Sequence, residues 1–106
     1  MDKSLDKAIR IIIETAQPDR IILFGSRASG DNRDSSDYDL CILKTGVRKK
    51  RKLAQRLYRA LYGVGIAIDI IVETPKRFET DRANPYLIFS DIARNGKVIY
   101  EKPKAG

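Results

Sequence analysis

Histidine is absent from the chain and cysteine occurs once. Without histidine, imidazole acid–base catalysis and most zinc sites are excluded. The lone Cys41 cannot close an internal disulfide. It lies inside a greasy run, which predicts a buried thiol and not a reactive nucleophile, and a reducing cytoplasm fits this usage. No apolar run approaches the roughly 20 residues that cross a bilayer, so no membrane partner is expected. Met1-Asp2-Lys3-Ser4 opens an amphipathic segment and not a signal peptide. There is no Walker-type Gly-Lys-Ser/Thr. Gly63-Val64-Gly65 lacks the third glycine of a dinucleotide loop and closes a helical pattern instead of following a strand. Internal repeats, linkers and low-complexity tracts are missing as well.

What remains is a chain of 106 residues, 42% hydrophobic and 33% charged, which reads as one domain, 1–106, with a small core. Its net charge of +7 invites a nucleic-acid reading, with solubility and surface ion pairs as the alternative and heat adaptation a source of some of the bias, so charge alone does not decide.

One stretch organises the rest. Ile21 to Phe24 is apolar, Gly25-Ser26 makes a small-residue turn, ten mostly polar residues follow, and Asp37-Tyr38-Asp39 opens a second apolar run, Leu40 to Leu43. Residues two apart on a strand face the same way, so Asp37 and Asp39 present two carboxylates side by side. Bare, they repel; a hard divalent cation removes that penalty. Gly25 lets backbone approach a ligand, Ser26 offers a hydroxyl beside N–H groups that can cradle an anion, and Arg27 adds a charge suited to phosphate. A phosphate-holding turn beside a metal-holding carboxylate pair is equipment for chemistry on a nucleoside triphosphate. Singly, each of these residues reads as an ordinary turn or surface charge; the weight lies in the set.

The set Gly25-Ser26, ten residues, then Asp37-x-Asp39 resembles the signature of the polymerase-β-type nucleotidyltransferases. Gly25 to Gly30, spelled Gly-Ser-Arg-Ala-Ser-Gly, is similar to their minimal (MNT) branch, and the resemblance extends over nearly the whole chain.

Along the chain, apolar spacing predicts a helix over 2–16, ended by Pro18-Asp19, and a short central strand over 20–24. Residues 25–36 form the turn, one helical turn after Ser26, and a polar loop. Residues 37–44 form a second strand, 47–62 a second helix closed by Gly63 and Gly65, and 66–72 a third strand. An irregular connection is expected over 75–82. Asn84-Pro85 looks like a cap and first turn of a helix running to Asn95, Gly96 stops it, and 97–101 is a last strand. Tyr86, Leu87, Ile88, Phe89 and Ile92 read as core, and Tyr58, Tyr62 and Tyr86 as packing or adenine-stacking rings. The expected fold is α/β (α+β): a mixed sheet of about four strands, helices packed on one face, the aspartates at the open side, which is also what the polymerase-β-like resemblance implies.

Asp69 is the odd member of an Ile-rich strand and the sole acid within residues 60–72. It is either a strand-end acid paired with a cation or a third carboxylate beside Asp37 and Asp39. The resemblance implies the latter. It implies that Asp37, Asp39 and Asp69 hold two magnesium ions, that Gly25, Ser26 and Arg27 hold the phosphates of ATP, and that AMP passes to a hydroxyl. It also implies a partner, a small helical HEPN toxin whose tyrosine accepts the nucleotide, with this chain as antitoxin. A catalytically silent antitoxin and an RNA-binding module remain alternatives. The basic run Arg48-Lys49-Lys50-Arg51-Lys52, continued by Arg56 and Arg59, is a solvated face or a protein-partner surface slightly ahead of an RNA site.

Overall fold

A computed structural model describes residues 3–30 and 37–103 of the chain. The stripe Leu5, Ala8, Ile9, Ile12, Ala16 forms the buried side of helix α1, Lys3–Ala16. Strand β1 is Arg20–Phe24, helix α2 Ser26–Ser29, strand β2 Tyr38–Leu43, helix α3 Lys50–Ala60 and strand β3 Ile68–Glu73. Helix α4, Pro75–Asp81, helix α5, Ile88–Asn95, and strand β4, Lys97–Glu101, complete the chain. The sheet is mixed, in the order β3-β2-β1-β4. β1 runs antiparallel to β2 and β4, and β2 runs parallel to β3. A parallel pair needs a crossover, and α3 supplies it.

Alternation along the strands separates two cores. Ile21, Leu23, Leu40 and Ile42 pack under α1 and α3 with Leu5, Ile12, Leu53 and Leu57. Ile22, Phe24, Cys41 and Leu43 pack on the other face with Phe78 of α4 and Ile92 of α5. Each fully buried Leu, Ile or Phe contributes about 1.5–3 kcal/mol, so the central strands, apolar on both faces, hold the sheet together. Helices on one face describes α1 and α3; α4 and α5 are the difference, and they cover part of the face that the sequence left open.

The segment expected to be an irregular connection contains α4. Thr74 caps it, its Oγ1 accepting from the Arg77 N–H at 3.1 Å, with Pro75 in the first turn. Asn84-Pro85 does not start the last helix. The Asn84 side chain accepts from the Tyr86 N–H at 2.9 Å, a local turn, and α5 begins at Ile88. Tyr86, Leu87 and Ile88 are therefore exposed and not core, whereas Ile92 is buried. The expected polar loop over 31–36 lies outside the described residues.

Candidate active site

The site begins where β1 ends. Gly25 has φ 74° and ψ −157°, a backbone region open essentially to glycine alone. A Cβ at Gly25 would also collide with Oδ2 of Asp39. Both constraints say that the turn backbone is pressed against the Asp39 carboxylate. The Gly25 carbonyl accepts from the N–H groups of Ala28 and Ser29 at 3.1 and 3.2 Å, which folds residues 26–29 into the single helical turn the sequence predicts. Buried Ala28 anchors that turn in the α1/α3 core.

Asp39 stands opposite Phe24 across the antiparallel pair and opposite Asp69 across the parallel pair. It shares its face with Cys41 and Leu43. Cys41 and Leu43 are buried, Asp39 is half-buried, and Asp37 and Asp69 are exposed. Burial pushes the Asp39 carboxyl above its ordinary value, and the charges of Asp69 and Asp37 push it further. The three acids are thus near enough to feel one another, although among the described residues no three acid, thiol or imidazole side chains converge into a closed cluster.

Arg27 is placed differently from the other candidate residues. Its guanidinium carbon lies 4.2 Å from the centroid of the Tyr38 ring, a cation–π contact. Tyr38 and Asp39 are neighbours on a strand and face opposite sides of the sheet, so Arg27 braces the turn against the α1/α3 side. Ser26 lies beside Gly25, partly exposed. Cys41 is fully buried, and burial together with the charge of Glu73 pushes its thiol up to about 12, which removes it as a nucleophile.

Sequence reasoning missed Glu73. It is buried at the end of β3, pairs with Lys50 Nζ at 2.6 Å and accepts from the Thr74 N–H at 2.8 Å. Nothing in the spacing connects residues 50 and 73; only the parallel crossover brings them together. Tyr58, read as a packing or stacking ring, accepts the Ile70 N–H at 2.8 Å through its hydroxyl and so satisfies one donor of the edge strand β3. Of the basic run, Lys50 serves the ion pair, while Arg48, Lys49, Arg51 and Lys52 are exposed.

The family model described as Polymerase beta, Nucleotidyltransferase matches residues 6–105. Protein adenylyltransferase MntA of Aphanizomenon flos-aquae is 28% identical over 98 residues, which are 91% of this chain. The chain spans 65% of the length of that relative. Among solved structures, a toxin-antitoxin with AMP-PNP superposes with a TM-score of 0.57 at 20% identity, covering 92% of this chain and 73% of the other. A provisionally assigned nucleotidyltransferase from Sulfolobus solfataricus superposes with a TM-score of 0.61 at 22% identity, covering 98% and 92%. At these identities the two structures speak for the fold.

Proposed function

The chain belongs to the polymerase β nucleotidyltransferase family, and from that premise we propose that it transfers AMP from ATP to a hydroxyl of a partner protein. The observation that carries the reading is the placement of Asp39: opposite Asp69, flanked by Asp37, with the Gly25 turn against its carboxylate. Carboxylates that repel one another at an open sheet end suit a divalent cation, and hard oxygen donors suit magnesium. Asp37, Asp39 and Asp69 would hold it. A cation bound there would supply Lewis-acid chemistry for the acceptor oxygen and charge compensation for a departing pyrophosphate.

The chain's own residues do the rest. The backbone of the Gly25-Ser26 turn and the Ser26 hydroxyl hold the β- and γ-phosphates, with Gly25 allowing the close approach. Arg27 stiffens this turn through Tyr38 and reaches the phosphates by leaving the ring. Asp69, the exposed member of the facing pair, takes the proton of the attacking hydroxyl. The oxygen forms its bond to the α-phosphorus, the α–β anhydride bond breaks, and pyrophosphate leaves. No enzyme-bound intermediate is needed, which agrees with a buried thiol and no histidine.

The acceptor reading is supported by the name of the MntA relative, a protein adenylyltransferase, and by the toxin-antitoxin among the structural neighbours. We assign the acceptor to a tyrosine of a HEPN toxin partner, with this chain as antitoxin. The test is to incubate the chain with ATP, magnesium and the product of the adjacent gene, and to map modified residues by mass spectrometry. An AMP adduct on a partner tyrosine is expected. Labelled partner with the adduct on another residue class would overturn the tyrosine assignment, and an unmodified partner would overturn the acceptor.

A further inference from the structure

The positive charge of this chain is not spread over its surface. Of 21 Lys and Arg residues, eight lie between residues 40 and 68, where there is no Asp or Glu; elsewhere 13 basic residues meet 14 acidic ones. The whole excess of +7 therefore belongs to the end of β2, the following loop and α3. Solvated helix faces ordinarily mix signs and gain from pairs three or four residues apart. α3 has no acid with which to form one. Among the described residues, Lys50 is the one member of the run paired with a carboxylate.

These side chains form one continuous surface. Arg51, Gln55 and Arg59 recur on the side of α3 away from Leu53 and Leu57, and Tyr62 ends the row with 93% of its surface exposed. Beside that row, Lys49, Lys52 and Arg56 line a cleft of about 390 Å³, shared with Lys44 and with the apolar Val47 and Leu53. The first turn of α3 holds cations where the helix dipole favours anions, and Lys49 at its cap makes no side-chain capping bond. The arrangement is unfavourable for the chain alone and favourable against a polyanion. The cleft is remote from the carboxylates: strand β2, Tyr38–Leu43, lies between them, so Asp37 and Lys44 are separated by about 20 Å. The far end of α3 returns toward the carboxylates, where the Tyr58 hydroxyl meets the Ile70 N–H next to Asp69.

We propose that the exposed face of α3 binds single-stranded nucleic acid, with Lys49, Lys52 and Arg56 along the phosphates and Tyr62 stacking on an unpaired base. Arginine forks match phosphate oxygens, and a basic track ending in an exposed ring is how single strands are held without sequence readout. An acidic peptide satisfies the cations but offers Tyr62 no flat partner. A duplex keeps its bases stacked inside. This binding does not depend on the proposed nucleotidyl transfer and needs neither ATP nor magnesium.

Fluorescence anisotropy of the full chain with labelled RNA, and DNA of the same sequence, of about 12 nucleotides tests it. Three to four phosphate contacts predict a log–log salt slope of about −2 to −3 between 50 and 200 mM salt. Lys52→Gln/Arg56→Gln lowers affinity at least tenfold and flattens the slope by about 1.4. Tyr62→Ala lowers affinity about fivefold or more and leaves the slope unchanged. All three positions are exposed, and melting curves check that the variants fold. No binding up to about 100 µM at low salt overturns the proposal. So does wild-type affinity in the double variant, equal competition by poly-glutamate, or tighter binding of the duplex. Tighter binding of RNA than of DNA, or the reverse, identifies the source of the strand.

Discussion

Asp39 is half-buried between Phe24 and Asp69, and its carboxyl is raised by burial and by the charges of Asp69 and Asp37. A raised acid has a definite sign in the pH dependence of folding. Below the ordinary value of 3.8 both states are protonated; as pH climbs toward the raised folded value, the unfolded chain ionises first. Stability therefore falls across that window and stays reduced above it. Asp39→Asn removes the drop. In magnesium-free buffer at neutral pH it raises Tm by about 1–5 °C, the effect of relieving like charges directly opposite on a sheet. The same variant loses transfer. Differential scanning fluorimetry against pH reads the first effect, and a rise in Tm with loss of activity separates a functional carboxylate from a structural one. Asp19 has the opposite sign. Burial opposes its ionisation, but hydrogen bonds from Thr45 and the charges of Lys102 and Lys44 outweigh that and lower its carboxyl. Its contribution is present above the ordinary value and is lost as pH falls through the lowered one. Gly25→Ala forces a side chain into a glycine-only backbone region and onto Asp39. A loss of about 1–3 kcal/mol is expected, measurable by urea unfolding, together with lost activity.

At the scale of elements, the two central strands and α1 were legible because their apolar spacing is unambiguous. β1 occupies Arg20–Phe24, the same residues that the sequence predicts. The turn from Gly25 and the start of β2 were legible because glycine, serine and paired aspartates each leave a local signal. α4 was not, although Thr74-Pro75 is a cap followed by proline; the short, polar sequence after it hides the helix, whose one buried side chain is Phe78. The Lys50–Glu73 pair was illegible in principle, since it depends on α3 crossing from β2 to a parallel β3. That pair makes a prediction. Lys50 is partly exposed and Glu73 almost wholly buried, so Lys50→Ala leaves a carboxylate with the Thr74 N–H alone. We expect a loss of about 1–3 kcal/mol, below that of a fully buried pair because solvent still reaches the lysine. A lower urea midpoint with an unchanged slope is the signature.

For the molecule as a whole, the carboxylates gather at the start of β2 and the basic cleft lies past its end, with α3 running back from the cleft to Tyr58 beside Ile70. This division was only half legible: the count of charges is in the sequence, but their collection on one face needs the fold. Self-repulsion along α3 destabilises the free chain, so moderate salt raises Tm, and Arg51→Gln/Lys52→Gln reduces that gain. A thermal shift that is insensitive to salt would show that the cations are neutralised locally.

The central claim is that Asp37, Asp39 and Asp69, with the Gly25-Ser26 turn, transfer the α-phosphoryl group of ATP as AMP. The most direct measurement supplies magnesium and ATP labelled on either the α- or the γ-phosphate to the chain and its partner, and follows label on protein. The account predicts protein-bound label from the α position, none from the γ position, and none from either with Asp37→Asn/Asp39→Asn. Label from the γ position, or undiminished α label in the double variant, would contradict it.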